Sequence, residues 1–103
     1  MADILIRIKR AVLAGRYRFS EKALIEMEVD GITDGDVVEC ILNAVAIYKT
    51  LRSRSPRRSH AGERLYVIQG TNLDGMAIYT KGKLVSEAGH DVFYFLISSK
   101  RAV

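Results

Sequence analysis

The chain has one cysteine, Cys40, one proline, Pro56, and no tryptophan in 103 residues. A lone cysteine makes no internal disulfide, and no cysteine–histidine spacing suits a zinc site, so a reducing compartment is expected. With so little proline and no tract of one residue type, low-complexity, collagen-like and linker-like classes drop out. The longest apolar stretches, around 41–47 and 92–97, fall far short of the roughly 20 residues that cross a bilayer. The start, Ala2-Asp3-Ile4-Leu5, places basic residues only after the first apolar run, and no small-residue cleavage site follows. No secretory signal or membrane contact is expected, and the cytoplasm is the expected location. Charge of one sign is also scarce, since 16 Lys and Arg against 12 Asp and Glu leave a net +4.

What is present, 49 % hydrophobic and 27 % charged residues, is an ordinary globular composition, too apolar for disorder. The length suits one domain over 1–103, with a helical part at 1–45 and a sheet part at 46–103. Over 3–14, Ile4, Leu5, Ile8, Ala11 and Val12 recur at helical spacing, with Asp3 as cap and Gly15 as stop. Ser20 is placed to cap a second helix through Val29, with Leu24 and Met27 inward and Gly31 beyond its end. Thr33 or Asp34 caps a third, in which Val37-Val38 and Ile41-Leu42 form the buried stripe. After Asn43 the pattern changes to alternation with β-branched and aromatic residues, predicting strands at 46–51, 64–69, 76–85 and 92–98. Asn72-Leu73-Asp74-Gly75 and Ser86-Glu87-Ala88-Gly89 are turn sequences, and Lys81-Gly82-Lys83 marks a bulge or bend. The expected fold class is α+β, with N-terminal helices packed on a C-terminal antiparallel sheet of about four strands.

Charge is segregated along the chain. Between 21 and 39, Glu21, Glu26, Glu28, Asp30, Asp34, Asp36 and Glu39 meet only Lys22. Between 49 and 64, Lys49, Arg52, Arg54, Arg57, Arg58 and Arg64 meet only Glu63, which concentrates a positive field in one loop and its flanks. Arginine forks there, with Ser53, Ser55 and Ser59 as hydroxyl donors and Pro56 limiting flexibility, suit phosphate recognition, and RNA is the polymer this favours. A solvated loop, or one that meets the acidic helices of a second copy in a homo-oligomer, fits the same residues.

Cleaving RNA without a metal or cofactor needs a base for the ribose 2′-hydroxyl, cations for the phosphorane charge and an acid for the leaving 5′-oxygen. His60 and Glu63 are candidate base or acid. Lys49, Arg64, Lys81 and Lys83 are candidate charge stabilisers, and Tyr66 and Tyr79 can donate a proton or stack a base. In the right register Lys49, Tyr79 and Lys100 share one face near the loop; one residue of slip turns any of them away. The blander readings are an exposed His60, a Glu63 paired with a neighbouring arginine, and a packing Tyr79. Cys40 and Met27 read as core, and His90 as a turn residue. Glycine-rich phosphate loops, serine elbows and metal-carboxylate pairs are absent from the sequence.

The chain resembles the MqsR family of bacterial toxins and the wider group of small RelE-like domains. The likeness runs through Ile8-Lys9-Arg10-Ala11-Val12-Leu13-Ala14-Gly15 with Arg16 and Arg18, then Ala23-Leu24 and Ile47-Tyr48-Lys49. It continues through Leu65-Tyr66 and Ile78-Tyr79-Thr80-Lys81 to Ser98-Ser99-Lys100. The resemblance implies a RelE-like fold, metal-independent endoribonuclease cleavage of messenger RNA, and an inhibitory antitoxin protein as partner in a type II toxin–antitoxin pair. It implies that Lys49, Tyr79 and Lys100 stand at the family's lysine, central-strand tyrosine and C-terminal lysine. The sequence departs from the pattern at Glu63, where the toxins have glutamine, and in its more arginine-rich loop. The alternative is a non-enzymatic RNA- or protein-binding module that uses the same basic loop.

Overall fold

The computed structural model describes residues 3–58, 60 and 62–102; Ser59, expected to add a hydroxyl to the basic loop, lies outside the described residues. In chain order come α1 (Ile4–Leu13), β1 (Tyr17–Phe19), α2 (Glu21–Asp30), α3 (Asp34–Asn43), β2 (Lys49–Arg52), β3 (Arg64–Thr71), β4 (Ala77–Glu87) and β5 (His90–Arg101). The fold class is α+β, as expected, but the sheet differs from the expected one. It has five strands in the order β1-β5-β4-β3-β2 and is mixed, with β1 parallel to β5 and the other pairs antiparallel.

The helices start where their caps stand. Asp3 accepts from the Ile6 amide at 3.0 Å, Ser20 from Ala23 at 3.0 Å, and Thr33 and Asp36 form a reciprocal capping box. Gly31 ends α2 in the left-handed region at φ 69°. One face of the sheet carries the core: Ile8, Ala11 and Val12 of α1, Met27 of α2, and Val37, Cys40 and Ile41 of α3 cluster with Ile68, Ile78, Tyr94 and Leu96. Burial pushes the Cys40 thiol up to about 11, so it is a small core residue, not a nucleophile. Leu24, expected inward, is 52 % exposed, because α2 turns Ala23 and Met27 to the core.

Two glycines allow the layers to meet. At Gly70 an added Cβ would lie 2.7 Å from the Cys40 carbonyl oxygen; at Gly82 it would lie 2.7 Å from both the Phe95 carbonyl oxygen and Cζ of the Tyr94 ring. The expected irregularity at Lys81-Gly82-Lys83 is a register shift between Lys81 and Gly82, where β5 carries an extra residue.

Carboxylates of α2 finish the edge of β5 beyond the short β1. Glu26 accepts from the Ser98 hydroxyl at 2.8 Å and the Ser99 amide at 3.2 Å, and Asp30 accepts from the Arg101 amide at 2.9 Å. At the other end Arg7 of α1 grips Asp91 with two hydrogen bonds of 2.9 and 2.7 Å. This contact, aided by Ser86, holds the Asp91 carboxyl down to about 2. Since the unfolded chain's aspartate titrates higher, the stabilisation is complete above about pH 4 and is lost as pH falls toward 2. Arg7→Ala is therefore expected to flatten the fall of melting temperature across that window. An acid limb identical to that of the wild type would show that Asp91 is not what titrates.

Candidate nucleic-acid interface

Alternation along the strands sets which side chains share the face turned away from the helices. Ile68, Ile78, Thr80 and Gly82 point to the core side, so Leu65, Val67, Gln69, Tyr79, Lys81 and Lys83 point to the other. Cross-strand pairing then builds two adjacent rows. Lys49 faces Val67, which faces Lys81; Gln69 faces Tyr79, which faces Lys100. The ammonium of Lys100 lies 5.3 Å from the centre of the Tyr79 ring. Lys49, Tyr79, Lys81 and Lys100 are thus brought to one face, in the register the sequence required for them to meet.

Around Tyr79 and Lys100 a shallow groove of about 530 Å³ is lined also by Gln69, Arg101 and Asp30. Nearer the β4–β5 hairpin, the loop after β2 lies over the sheet. Its base is closed by a hydrogen bond of 2.7 Å from the Ser53 amide to the Glu63 carbonyl. A turn at 55–58, with the Arg57 amide on the Ser55 hydroxyl at 3.1 Å and the Arg58 guanidinium on the Ser55 carbonyl at 2.9 Å, presents Arg54, Arg57 and Arg58. Beneath them is a cleft of about 400 Å³, bounded on the sheet by Leu65, Lys81, Lys83, Phe95 and Ile97.

The remaining candidates stand elsewhere. Glu63 is 7 % exposed, and its carboxylate oxygens lie 3.2 and 3.4 Å from the Lys83 ammonium at the wall of the cleft. His60 is exposed beside Leu84, Val85 and Ser86. Val85 lies six strand steps from Tyr79 along β4, about 20 Å, so His60 and Tyr79 do not share a site. Arg52 and Arg64 face each other across β2 and β3 on the side opposite Leu51 and Leu65, so Arg64 does not join Lys49 and Lys100. Arg52 reaches a small recess with Arg54 and Arg58 instead.

One contributor escaped the sequence reading. Arg18, on β1, lies with its guanidinium 4.5 Å from the centre of the Phe93 ring and extends the basic face past β5. The sequence marks Arg18 only as a basic residue in the stretch that carries the resemblance, and its place on this face depends on the pairing of β1 with β5.

Among the described residues, no group of three or more His, Cys, Asp or Glu is placed to hold a metal ion. No helix among them is long and apolar enough to cross a membrane. No family model matches the chain, and no curated protein matches it in sequence.

Proposed function

We propose that the protein binds RNA on the helix-free face of its sheet and cleaves it as a metal-independent endoribonuclease. The observation that carries this reading is the Tyr79–Lys100 pair, 5.3 Å apart, on the same face as Lys49 and Lys81 and beside the arginine loop. In the reaction the ribose 2′-hydroxyl gives its proton to solvent water and its oxygen bonds to the adjacent phosphorus. The bond from phosphorus to the 5′-oxygen breaks, and that oxygen takes up a proton. The products end in a 2′,3′-cyclic phosphate and a 5′-hydroxyl. Tyr79 moves a proton, Lys100 and Lys49 offset the charge that builds on the phosphorane, and Lys81 holds a flanking phosphate. Glu63 fixes Lys83 at the cleft wall. The RelE-like fold, the role as toxin of a type II toxin–antitoxin pair with an antitoxin protein as partner, and action in the cytoplasm belong to the same proposal. They are supported by the sequence resemblance and by three helices laid on one sheet face.

A second reading, RNA binding without cleavage, is favoured by the placement of His60 and Glu63 away from Tyr79. Induced expression separates the two. Growth arrest with new 5′-hydroxyl RNA ends, both abolished in a Lys49→Ala, Tyr79→Phe variant, is the expected result. Normal growth and uncut RNA in cells holding folded wild-type protein would overturn cleavage and leave the binding module.

A further inference from the structure

We propose that the cleft beneath the arginine loop is a subsite for one unstacked nucleobase, by which the protein selects single-stranded RNA over duplex. The inference rests on the RNA reading above and adds a second point of contact to it. A site meant for phosphate alone needs only cations. This cleft has an apolar floor of Leu65, Phe95 and Ile97 under the cationic wall of Arg54, Arg57 and Arg58. Apolar and aromatic surface next to guanidinium groups suits a flat, π-faced ring attached to a phosphate.

Size sets the stoichiometry. At about 400 Å³ the cleft lies at the lower end of ordinary small-ligand pockets, with room for one base and its phosphate. In a duplex, base faces are spent on stacking and the A-form major groove is too narrow for side chains, so only a strand whose bases can splay out reaches the floor. The ion pair of Lys83 and Glu63 gives the wall a donor beside an acceptor, and Lys83 also sits 6.0 Å from the Phe95 ring centre. Lys83 lies four strand steps from Tyr79 along β4, about 13 Å. A base held in the cleft would therefore set the register of the strand over the Tyr79–Lys100 groove.

The test uses the full chain and a short fluorescent RNA of mixed sequence with 2′-O-methyl sugars, which cannot supply the attacking hydroxyl. Anisotropy is read with this strand alone, with the same strand annealed to its complement, and with inorganic polyphosphate as competitor. The single strand is expected to bind about tenfold more tightly than the duplex, with Phe95→Leu removing most of that preference and leaving duplex binding unchanged. Polyphosphate should compete only weakly. The leucine preserves bulk in β5, and the duplex and polyphosphate arms need no variant. Equal binding of single strand, duplex and polyphosphate would overturn the base subsite and leave RNA binding standing. Failure of every RNA to bind would overturn the RNA reading itself.

Discussion

Gly82→Ala is expected to lower stability by about 3 kcal/mol, at the upper end of what overpacking a core costs. In a domain of this size that corresponds to a fall of roughly 12–24 °C in melting temperature. The reason is geometric. A methyl group there meets the Phe95 carbonyl oxygen and Tyr94 Cζ at 2.7 Å, and the Tyr94 oxygen at 2.8 Å. A rotamer change would move the ring alone, but Tyr94 is fully buried, and the carbonyl belongs to the strand paired with Gly82's own. Gly35→Ala is the control of opposite sign. Its Cβ would meet only the Thr33 hydroxyl oxygen, at an ordinary 3.6 Å, in the first turn of α3, where alanine gains up to about 0.5 kcal/mol over glycine, the lower end of the mid-helix range. Thermal unfolding followed by circular dichroism checks both. A Gly82→Ala protein melting within a few degrees of wild type would show that the β4–β5 bulge absorbs the methyl group.

Exchanging Tyr79 for Phe together with Lys100 for Ala is expected to slow RNA cleavage by about 10²–10⁴-fold, the range spanned by general acid–base groups. Strand affinity should change far less, because Arg18, Lys49 and Lys81 on the sheet and Arg54, Arg57 and Arg58 on the loop keep most of the positive charge of this face. Replacing Arg54, Arg57 and Arg58 by Ala should do the converse. It should weaken binding and reduce the slope of log affinity against log salt by about 2, as three lost contacts to single-stranded phosphates require. Single-turnover rates at saturating protein separate the two effects. The Tyr79–Lys100 contact also contributes to the sheet, at about 0.5–1 kcal/mol for an exposed cation–π pair, so the melting curve of the double variant belongs beside its kinetics. Cleavage by that variant at the wild-type rate would remove Tyr79 and Lys100 from the chemistry.

Legibility in the sequence followed the range of the interactions. The caps Asp3, Ser20 and Thr33 were readable because each serves an amide three residues on. Lys81-Gly82-Lys83 marked the bulge because a glycine between lysines breaks strand alternation. Leu24 was misplaced because α2 lies at the sheet margin and packs through the small Ala23, while its carboxylates reach the β5 edge, so an apolar residue one position along has nothing to bury against. β1 went unread because it has three residues, with one arginine before it and another at its centre, and a partner more than 70 residues further on; parallel pairing leaves no turn beside it. The same gap hid Arg18. Lys49, Tyr79 and Lys100 were identifiable as residue types, but their meeting depended on strand register, as did the turning of Arg64 to the opposite side; His60 stands apart because its loop reaches the far end of β4.

The position of β5 also governs when the domain can form during synthesis. It follows every other element in sequence, yet it lies between β1 and β4 and supplies Tyr94 and Leu96 to the core. Ser20, at the start of α2, waits for a hydrogen bond to Ile97, 77 residues further on. A nascent chain ending before β5 therefore has α3 with β3 and β4 to pack on, while β1 lacks its pairing partner and α2 lacks the strand it rests against. Folding that joins such distant segments is slow, because loop closure precedes its reward. Lys100 comes near the end of that same strand, so the face that also carries Lys49 and Tyr79 is complete only when β5 has left the peptidyl-transferase centre.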